Sequence, residues 1–568
     1  MKLKFKIITI VTVMFGITLS SCDNYFDIET EDMLDVSDAY KEKSTIYAGM
    51  MGLAANFRET ADHHIILSEL LGDLMKPTTS APDECWDVYR YKATNGNSFA
   101  SPAPYYKLII NCNDFLKHTI DYNKKYPAAL AANVYKGMIS SALTYRAWSY
   151  LQIGKIFGEA VYYDVVFTDD NDEMPSKVMN LDELVEELIY NLKNGVDGVN
   201  GFQTLDWNTL ISPQNTYTDE TWSRVSIAAD VLLTELYLWN KDYTNAAKTA
   251  LNYVSNSAAN FKLDIFQSNN NNMMWYKMFT SPFSSDCIKE VCTYAPFNFE
   301  KRQTSKLQYY FSSLAPNVYY FMPHTNAQMR FYSQITGESK NELTGETGLV
   351  RGTDVNRRTG TFVYENGKSV IAKYHMDKKN YEHDSPIYIY RAPEIYLMIA
   401  EALGGLGGET NIAAADSIIS VGLKSSWNSD HFEKPFEAPI FGNSLNVFPG
   451  IRGRAKMGAD FIRYHVDTLQ YPGKTDLEKI QKAAREKFVL DSLIAEETAL
   501  ELAYEGKRWF TLIRLARNSE NPAFLAQQAA KKFDAGEGQL YEKWLMNPEN
   551  WFIKWNQTQV LNELKKEE

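Results

Sequence analysis

The spacing of apolar residues along this chain has the period of an α-helix over much of its length. Apolar side chains recur every three or four residues in four long segments, which places them on one face of a helix. These segments are 44–75, 136–164, 222–254 and 391–423. A fifth, Glu496–Arg517, has the same period but contains Gly506, and glycine costs about 1 kcal/mol relative to alanine inside a helix. The pattern predicts a mainly α-helical protein.

Residues 222–254 are the most informative of these segments. One helical run ends at Trp239, the turn Asn-Lys-Asp-Tyr follows, and a second run carries small residues at Ala246, Ala247 and Ala250. Small residues where paired helices approach, with an aromatic residue at the turn, are typical of a tetratricopeptide-like unit. Neither helix can cover its apolar face alone, so such units stack on one another. The sequence therefore predicts about four stacked helix pairs, with Trp239 and Tyr243 at this turn.

Two regions interrupt the helical pattern. Residues 256–386 are richer in Asn, Ser, Gly and β-branched residues, and they contain strand-like runs at 286–297 and 358–375. Residues 424–476 are punctuated by Gly and Pro. Loops of this length inside a folded protein usually carry function or are disordered. We predict a helical-repeat scaffold with irregular loops and short β insertions at these two places.

The N-terminus has the features of a secretion signal. Three lysines within the first six residues precede the apolar run Ile7–Leu19, which is too short to span a bilayer as a mature helix. The run ends in Leu19-Ser20-Ser21-Cys22, which is similar to a bacterial lipobox. We therefore predict a signal peptide over 1–21, lipidation of Cys22, and an acidic tether over 22–40 that leaves the body of the protein in water.

Composition excludes several classes of function. The formal net charge is −13 at pH 7, and the chain lacks the basic stripe of a nucleic-acid binder. No phosphate-binding loop, nucleophile elbow or HExxH motif is present, so we expect no cofactor, and we assign no metal site. His63 and His64 are adjacent and would point about 100° apart on a helix, which favours packing over metal chelation. Aromatic residues are 13% of the chain, which suits both cores and stacking on ligands.

Six motifs in a fixed order make the chain similar to a known family. They are SALTYRAWSYLQIGKIFGEA (141–160), WSRVSIAADVLLTELYLWNKDYTNAA (222–247), DVNRRTG (354–360), YRAPEIYLMIAEAL (390–403), GIRGRA (450–455) and EGKRWF (505–510). Following a lipoprotein signal, this order resembles the SusD/RagB-like outer-membrane lipoproteins of glycan-uptake systems. The chain departs from the family at Thr498 and Thr511, where arginine and aspartate are usual, and in its C-terminal ending.

The resemblance implies both a fold and a function. The fold is a SusD-like, tetratricopeptide-like helical scaffold in a single domain over residues 41–568. The function is capture of an oligosaccharide at the outer-membrane surface, without chemistry, for delivery to a SusC-like TonB-dependent transporter. Peptide uptake by a member of the same family is an open alternative. A surface glycoside hydrolase is another, and it would need two carboxylates about 5–10 Å apart.

The charged residues of 496–517 can be interpreted as architecture or as a catalytic cluster. Glu497, Glu501 and Arg508 step by four and seven residues, so on a continuous helix they share one face. Two like charges at this spacing are unfavourable unless cations such as Arg391, Arg452 or Arg454 lie opposite. Gly506 would allow a neighbouring backbone to approach closely. We therefore predict that Glu497, Glu501, Gly506, Arg508 and Arg391 are structural.

The resemblance also implies where a ligand binds. Relatives hold glycan on a shallow aromatic surface near the N-terminal helices and the central insertion. The corresponding stretches are 83–91, 272–279 and 317–324, and each joins aromatic rings to polar groups. The predicted ligand-binding residues are Trp86, Tyr89, Trp275, Tyr276, Tyr319 and Tyr320, with Asp83 and Asn317 as hydrogen-bonding partners.

Overall fold

The structure is a computed structural model that describes residues 40–166, 177–210, 223–256, 275, 278–279, 290–374, 382, 385–422, 432 and 449–555. Cys22 and Tyr276, two of the predicted site residues, lie outside this part of the chain. The chain divides into two units, Met1–Gly49 and Met50–Glu568. Residues 40–49 are the described part of the first unit, and they contain the start of a helix that begins at Lys43. All interactions reported below join residues of the second unit.

Helices dominate the described part of the chain. They are α1 Lys43–Leu71, α2 Asp83–Tyr89, α3 Ala103–Lys125, α4 Ala132–Phe157, α5 Leu181–Asn194, α6 Ala229–Trp239, α7 Tyr243–Asn256, α8 Lys306–Phe311, α9 Thr325–Tyr332, α10 Val355–Thr361, α11 Ala392–Leu406, α12 Glu409–Ser420, α13 Ile451–Arg454, α14 Asp476–Glu501, α15 Arg508–Asn518, α16 Pro522–Ala529 and α17 Ala535–Leu545. None of the described helices is both long and apolar enough to cross a membrane. The predicted helical fold class is confirmed.

The described strands are short and pair in twos. They are β1 Met75–Pro77, β2 Glu159–Val161, β3 Val178–Asn180, β4 Val291–Ala295, β5 Phe321–Pro323, β6 Gln334–Lys340, β7 Thr347–Gly352, β8 Phe362–Glu365, β9 Lys368–Ile371 and β10 Ile387–Arg391. The antiparallel pairs are β1 with β5, β2 with β3, β4 with β10, β6 with β7, and β8 with β9. Strands β4, β8 and β9 confirm the two strand-like runs that were predicted in the first insertion.

The predicted helix pair at 222–254 is present. Helix α6 ends at Trp239 and α7 begins at Tyr243, so the two aromatic residues flank the turn as predicted. Ala246, Ala247 and Ala250 are almost fully buried, because the two helices pack together along this face. Helices α11 and α12 form a second pair of the same kind, and α11 also packs against α7 and α14. The apolar faces of neighbouring pairs therefore cover one another.

Helices α3 and α5 were missed in the sequence. Helix α3 packs along α4, and α5 packs against the other end of α4 and against α6. Helix α5 has a clear N-terminal signal, since Asn180 and Glu183 form a capping box. The neighbours α3 and α5 explain why nearly every residue of α4 from Val134 to Phe157 is buried.

The segment 496–517 is two helices, and its prediction as one helix face was wrong. Helix α14 ends at Glu501, and α15 starts at Arg508. Between them Tyr504 and Gly506 have positive φ angles of 64° and 73°, which reverse the chain. Arg508 therefore does not share a face with Glu497 and Glu501. The DVNRRTG motif at 354–360 begins helix α10, with Asp354 as its cap.

Candidate ligand-binding cleft

A buried network of ion pairs surrounds the end of α14. Glu497 accepts hydrogen bonds from Arg357 Nη1 at 2.8 Å and from Arg452 Nη1 at 2.6 Å. Arg357 also bonds Asp354 at 2.5 Å and Glu501 at 3.3 Å. These side chains are between 0% and 1% exposed. Cations thus lie opposite the two like charges of α14, as the sequence required.

Arg391 joins the second half of this network. It donates to Glu505 at 2.7 and 2.8 Å and to Glu290 at 2.7 Å. Arg454 donates to both oxygens of Glu290, and Lys373 donates to Glu505 at 2.6 Å. Burial alone would raise the pKa of Glu505, but Arg391 and Lys373 outweigh it and hold that pKa below its ordinary value.

We call this set the buried ion network. Its carboxylates and cations are equal in number, namely Glu290, Asp354, Glu497, Glu501 and Glu505 with Arg357, Lys373, Arg391, Arg452 and Arg454. They come from the first insertion, from β10, α13 and α14, and from the turn after α14. Since the charges balance inside the protein core, the network ties the insertions to the helices and has an architectural role.

Arg508 and Gly506 both make contacts with residues at or just beyond the C-terminal end of α1. Arg508 donates to Asp73 at 2.9 and 3.2 Å and to the carbonyl of Ala495 at 2.6 Å, which joins α15 to the end of α1 and to α14. Gly506 donates its N–H to Glu69 at 2.8 Å. A Cβ at Gly506 would lie 3.2 Å from Ile65 Cδ1. The close neighbour of Gly506 is therefore a side chain of helix α1, and not the backbone that the sequence predicted.

An open cleft lies on another side of helix α1. It encloses about 710 Å³ and is lined by α1, by the loop before α3, and by residues 297–310. Helix α1 contributes Arg58, Glu59, Asp62 and His63. Arg58 and Asp62 are four residues apart, as are Glu59 and His63, so the two members of each pair lie on the same side of the helix. Lys107 stands opposite on α3 and contacts Glu59 at 3.7 Å. The cleft is thus walled by charged groups from three parts of the chain.

Aromatic rings line one end of the cleft. Phe99, Phe297 and Tyr310 belong to its wall. Tyr310 stacks on Tyr320 with ring centroids 5.1 Å apart and planes 14° apart, and both rings are partly exposed. Phe99 meets Tyr310 at 6.3 Å. This aromatic end adjoins one of the stretches predicted to bind a ligand.

The pairing of β1 with β5 brings two predicted stretches together. Thr78 lies one residue beyond β1. Its N–H donates to the backbone carbonyl of Tyr320 at 2.8 Å, and its hydroxyl donates to the backbone carbonyl of Tyr319 at 2.6 Å. Helix α2, which follows, is connected to the cleft by Glu84, whose carboxylate accepts a 2.7 Å hydrogen bond from Ser98. Segments 83–91 and 317–324 are therefore neighbours, although 241 residues separate Thr78 from Tyr319.

The predicted ligand residues differ in accessibility. Trp86 and Tyr320 are partly exposed, Asn317 is partly exposed, and Asp83 is exposed in the first turn of α2. Arg90 lies over the ring of Trp86 at 4.9 Å. These four residues stay candidates for contact with a ligand.

Three predicted aromatic residues are buried, which argues against their role as stacking surfaces. Trp275 is 0% exposed and donates its indole N–H to Thr361 at 3.2 Å. Tyr89 is 5% exposed and its hydroxyl donates to the carbonyl of Lys532. Tyr319 is 8% exposed and donates to the carbonyl of Ser369. Since these rings are enclosed by protein, we leave them out of the proposed site.

The pKa values of Asp62 and His63, which line the cleft, differ from their ordinary values. Burial raises the pKa of Asp62 to about 6, although its oxygens accept hydrogen bonds from the Lys306 N–H and the Ser305 hydroxyl. Asp62 thus anchors the first residues of α8. Burial lowers the pKa of His63 to about 4, so this imidazole is neutral at pH 7. No group of three or more His, Cys, Asp or Glu residues suited to a metal occurs in the described part of the chain.

Sequence reasoning missed Arg58, Phe99, Lys107, Tyr310 and Lys306, which all line the cleft. One signal was available, because the charged residues Arg58, Glu59 and Asp62 and the polar His63 are clustered within one turn or so of a helix. The others lie on separate segments whose proximity only the fold reveals.

Comparison with known proteins agrees with this architecture. The SusD family model matches residues 296–421. A SusD superfamily protein from Bacteroides vulgatus shares the fold with a TM-score of 0.56 at 14% identity, covering 89% of this chain and 93% of that one. Surface glycan-binding protein A from Bacteroides uniformis gives 0.55 at 16% identity, with 92% and 97% covered. A laminarin-binding SusD-like protein gives 0.50 at 13% identity, with 91% and 99% covered.

None of the curated protein sequences matches the chain. At these identities the solved structures establish the fold, while the family match covers the first insertion from residue 296 onward and the helices α11 and α12. The chain is therefore similar to SusD-family proteins in two ways, by the family match over residues 296–421 and by the fold of the described chain.

Proposed function

We propose that the protein captures an oligosaccharide in this cleft at the cell surface, and hands it to a SusC-like TonB-dependent transporter in the outer membrane. The observation that carries the proposal is a cleft of about 710 Å³ that joins aromatic rings to charged side chains. Sugars need both, because their C–H faces pack on rings and their hydroxyls bond to polar groups. Lipidation of Cys22 would hold the protein at the membrane.

The fold relatives support the same class of ligand. One protein of this fold is a surface glycan-binding protein, and another binds laminarin. In this chain the stacked Tyr310–Tyr320 pair offers an aromatic surface beside the cleft, and Asp83, Trp86 and Asn317 are at least partly exposed. The hydrogen bonds of Asp62 support binding without hydrolysis. Both of its carboxylate oxygens already accept hydrogen bonds from the start of α8, so they are not free to act on a glycosidic bond.

The first test is a glycan array and affinity electrophoresis with the mature protein, with peptides as a second array. We expect retention by at least one polysaccharide and no shortening of the glycan during incubation. Peptide binding without glycan binding would support the peptide alternative, and hydrolysis would support the glycosidase. If the Cys22→Ala variant is still labelled by a fatty-acid analogue, the prediction that Cys22 carries the lipid anchor is wrong.

Variants then locate the site. Replacing Tyr310 or Tyr320 by alanine should weaken glycan binding by about 1–3 kcal/mol, the value of one aromatic stacking partner. Tyr190→Ala is the matched control, because Tyr190 is 62% exposed on α5 and does not line the cleft. Equal affinity in both cleft variants and the control would remove the aromatic end from the binding site.

A further inference from the structure

The cleft has a charge opposite to that of the protein. Its lining includes the cations Arg58, Lys107, Arg302 and Lys306, against the two carboxylates Glu59 and Asp62. The whole chain has a formal net charge of −13. A local excess of cations in an acidic protein focuses a positive potential on the cleft.

Most of these cations form no ion pair with the residues that the structure describes. Lys107 pairs with Glu59 at 3.7 Å. For Arg58, Arg302 and Lys306, the described part of the chain provides no ion pair and no side-chain hydrogen bond. Arg58 is partly buried and lies over the ring of Phe297 at 5.6 Å, and Arg302 and Lys306 are exposed. Their donors are therefore available to a ligand.

The carboxylates of the cleft compensate these cations only in part, since Asp62 attracts Lys306 and Glu59 attracts Arg58 without forming an ion pair among the described residues. Glu59 is taken by Lys107, and both oxygens of Asp62 accept hydrogen bonds from Ser305 and from the backbone of Lys306. Burial, the larger effect, lowers the pKa of the Arg58 guanidinium below its ordinary value, and the charge of Glu59 opposes that only in part. A partly buried guanidinium that forms no close ion pair with the described carboxylates is stabilised further by an incoming anion.

We propose that the ligand of this cleft is an acidic glycan, whose carboxylate or sulfate groups are bound by Arg58, Arg302 and Lys306 while its sugar rings contact Phe99 and Tyr310. The inference rests on the proposed function and names its substrate class. Guanidinium groups suit this chemistry because their planar donors bond two oxygens of one carboxylate or sulfate at once.

The test uses pairs of polysaccharides that differ only in charge. Polygalacturonate is compared with its fully methyl-esterified form, and dextran sulfate with dextran, on the mature full-length protein. We expect the acidic member of at least one pair to bind about tenfold or more tightly, since a charged hydrogen bond contributes about 1.5–3 kcal/mol. Binding should weaken as NaCl rises from about 0.05 to about 0.3 M, because salt screens exposed charges. The pair that responds distinguishes carboxylate from sulfate.

Charge variants link the preference to the cleft. The double variant Arg302→Gln/Lys306→Gln removes two exposed cations and should lower affinity for the acidic polymer about tenfold, with an unchanged melting temperature. The single variant Arg58→Gln should also lower affinity for the acidic polymer about tenfold. Lys193→Gln/Lys340→Gln is the matched control, since it removes two exposed cations outside the cleft and should leave affinity unchanged.

Each outcome decides a specific claim. Equal binding of acidic and neutral members, or undiminished acidic binding in the cleft double variant, overturns the acidic ligand and leaves glycan capture standing. Absence of binding across the full array of neutral and acidic glycans overturns both.

Discussion

Two regions of this protein are rich in charge, and they differ in how the charges are paired. In the buried ion network each cation contacts a carboxylate within 4 Å, and the side chains of Arg357, Arg391 and Glu501 are 0% exposed. In the cleft, Arg58, Arg302 and Lys306 face an open volume without an ion pair among the described residues. Both regions combine arginines, glutamates and aromatic rings.

The comparison shows that pairing and burial, more than composition, separate architecture from a binding surface. A cation that is fully buried needs carboxylate or other oxygen acceptors in place of water, because its desolvation is otherwise too costly. A cation at a cleft keeps part of its hydration and can exchange it for a ligand. The residue types of 496–517 therefore say little about function until their partners are known.

The largest effect should follow a break in the network. Arg391→Ala leaves Glu290 and Glu505 with one cation fewer in the core, and we expect a loss of about 3–5 kcal/mol in the free energy of unfolding. Thermal and urea unfolding would measure it. The counterpart in the cleft, Arg302→Ala, should change stability by less than about 0.5 kcal/mol. Similar shifts for the two variants would contradict the comparison.

Much of the fold followed from the sequence because helices have a local signal. The period of apolar residues, the small residues at Ala246 and Ala247, and the turn between Trp239 and Tyr243 all report local geometry. The break between α14 and α15 could not be predicted in this way. A glycine such as Gly506 can be tolerated inside a helix or can adopt a positive φ angle that ends it, and the sequence does not distinguish the two. The tertiary contact with Glu69 selects the second.

Less of the site could be predicted, because it is assembled by long-range contacts. The pairing of β1 with β5 brings Tyr320 beside Thr78, and a single sequence gives no sign of that pairing. The same limit applies to burial. Trp275 and Trp86 lie in similar stretches of aromatic and polar residues, yet Trp275 is enclosed by Gly360 and Thr361 while Trp86 stays partly exposed.

These two tryptophans give the second test. Trp275 is fully buried beneath Lys373 and Arg391, whose cations lie 4.9 and 5.6 Å from its ring, so it supports the buried ion network. Trp275→Ala should cost about 3–5 kcal/mol of stability. Trp86→Ala should leave the melting temperature nearly unchanged and weaken glycan binding by about 1–3 kcal/mol if its ring stacks on the ligand.

Calorimetry and affinity electrophoresis on the same preparations would separate the two roles. A stable Trp275→Ala protein with reduced glycan binding would return this residue to the binding site. Loss of stability in Trp86→Ala with intact binding would move that residue to the core.

A further effect depends on pH and concerns Glu69, a buried carboxylate that lies next to the network and forms no ion pair with the described residues. Glu69 is 1% exposed; one oxygen accepts the Gly506 N–H at 2.8 Å, and the other has no hydrogen bond among the described residues. Burial raises the pKa of Glu69 from 4.5 to about 8, and the nearby Lys373 opposes this only in part. The folded protein thus keeps Glu69 protonated at pH 7, whereas the unfolded chain ionises it.

This difference sets the sign of a pH dependence. Between pH 4.5 and 8 the folded state binds more protons at Glu69 than the unfolded state, so the contribution of Glu69 to stability falls as pH rises. Glu69→Gln keeps the acceptor for Gly506 and cannot ionise. The variant should match the wild type near pH 4.5 and become more stable than it toward pH 8, by up to about 1.4 kcal/mol per pH unit. Urea unfolding of both proteins at pH 5, 6, 7 and 8 would measure the difference. A constant difference across this range would mean that Glu69 is ionised in the folded protein, and that an ion pair with Lys373 extends the buried ion network to α1.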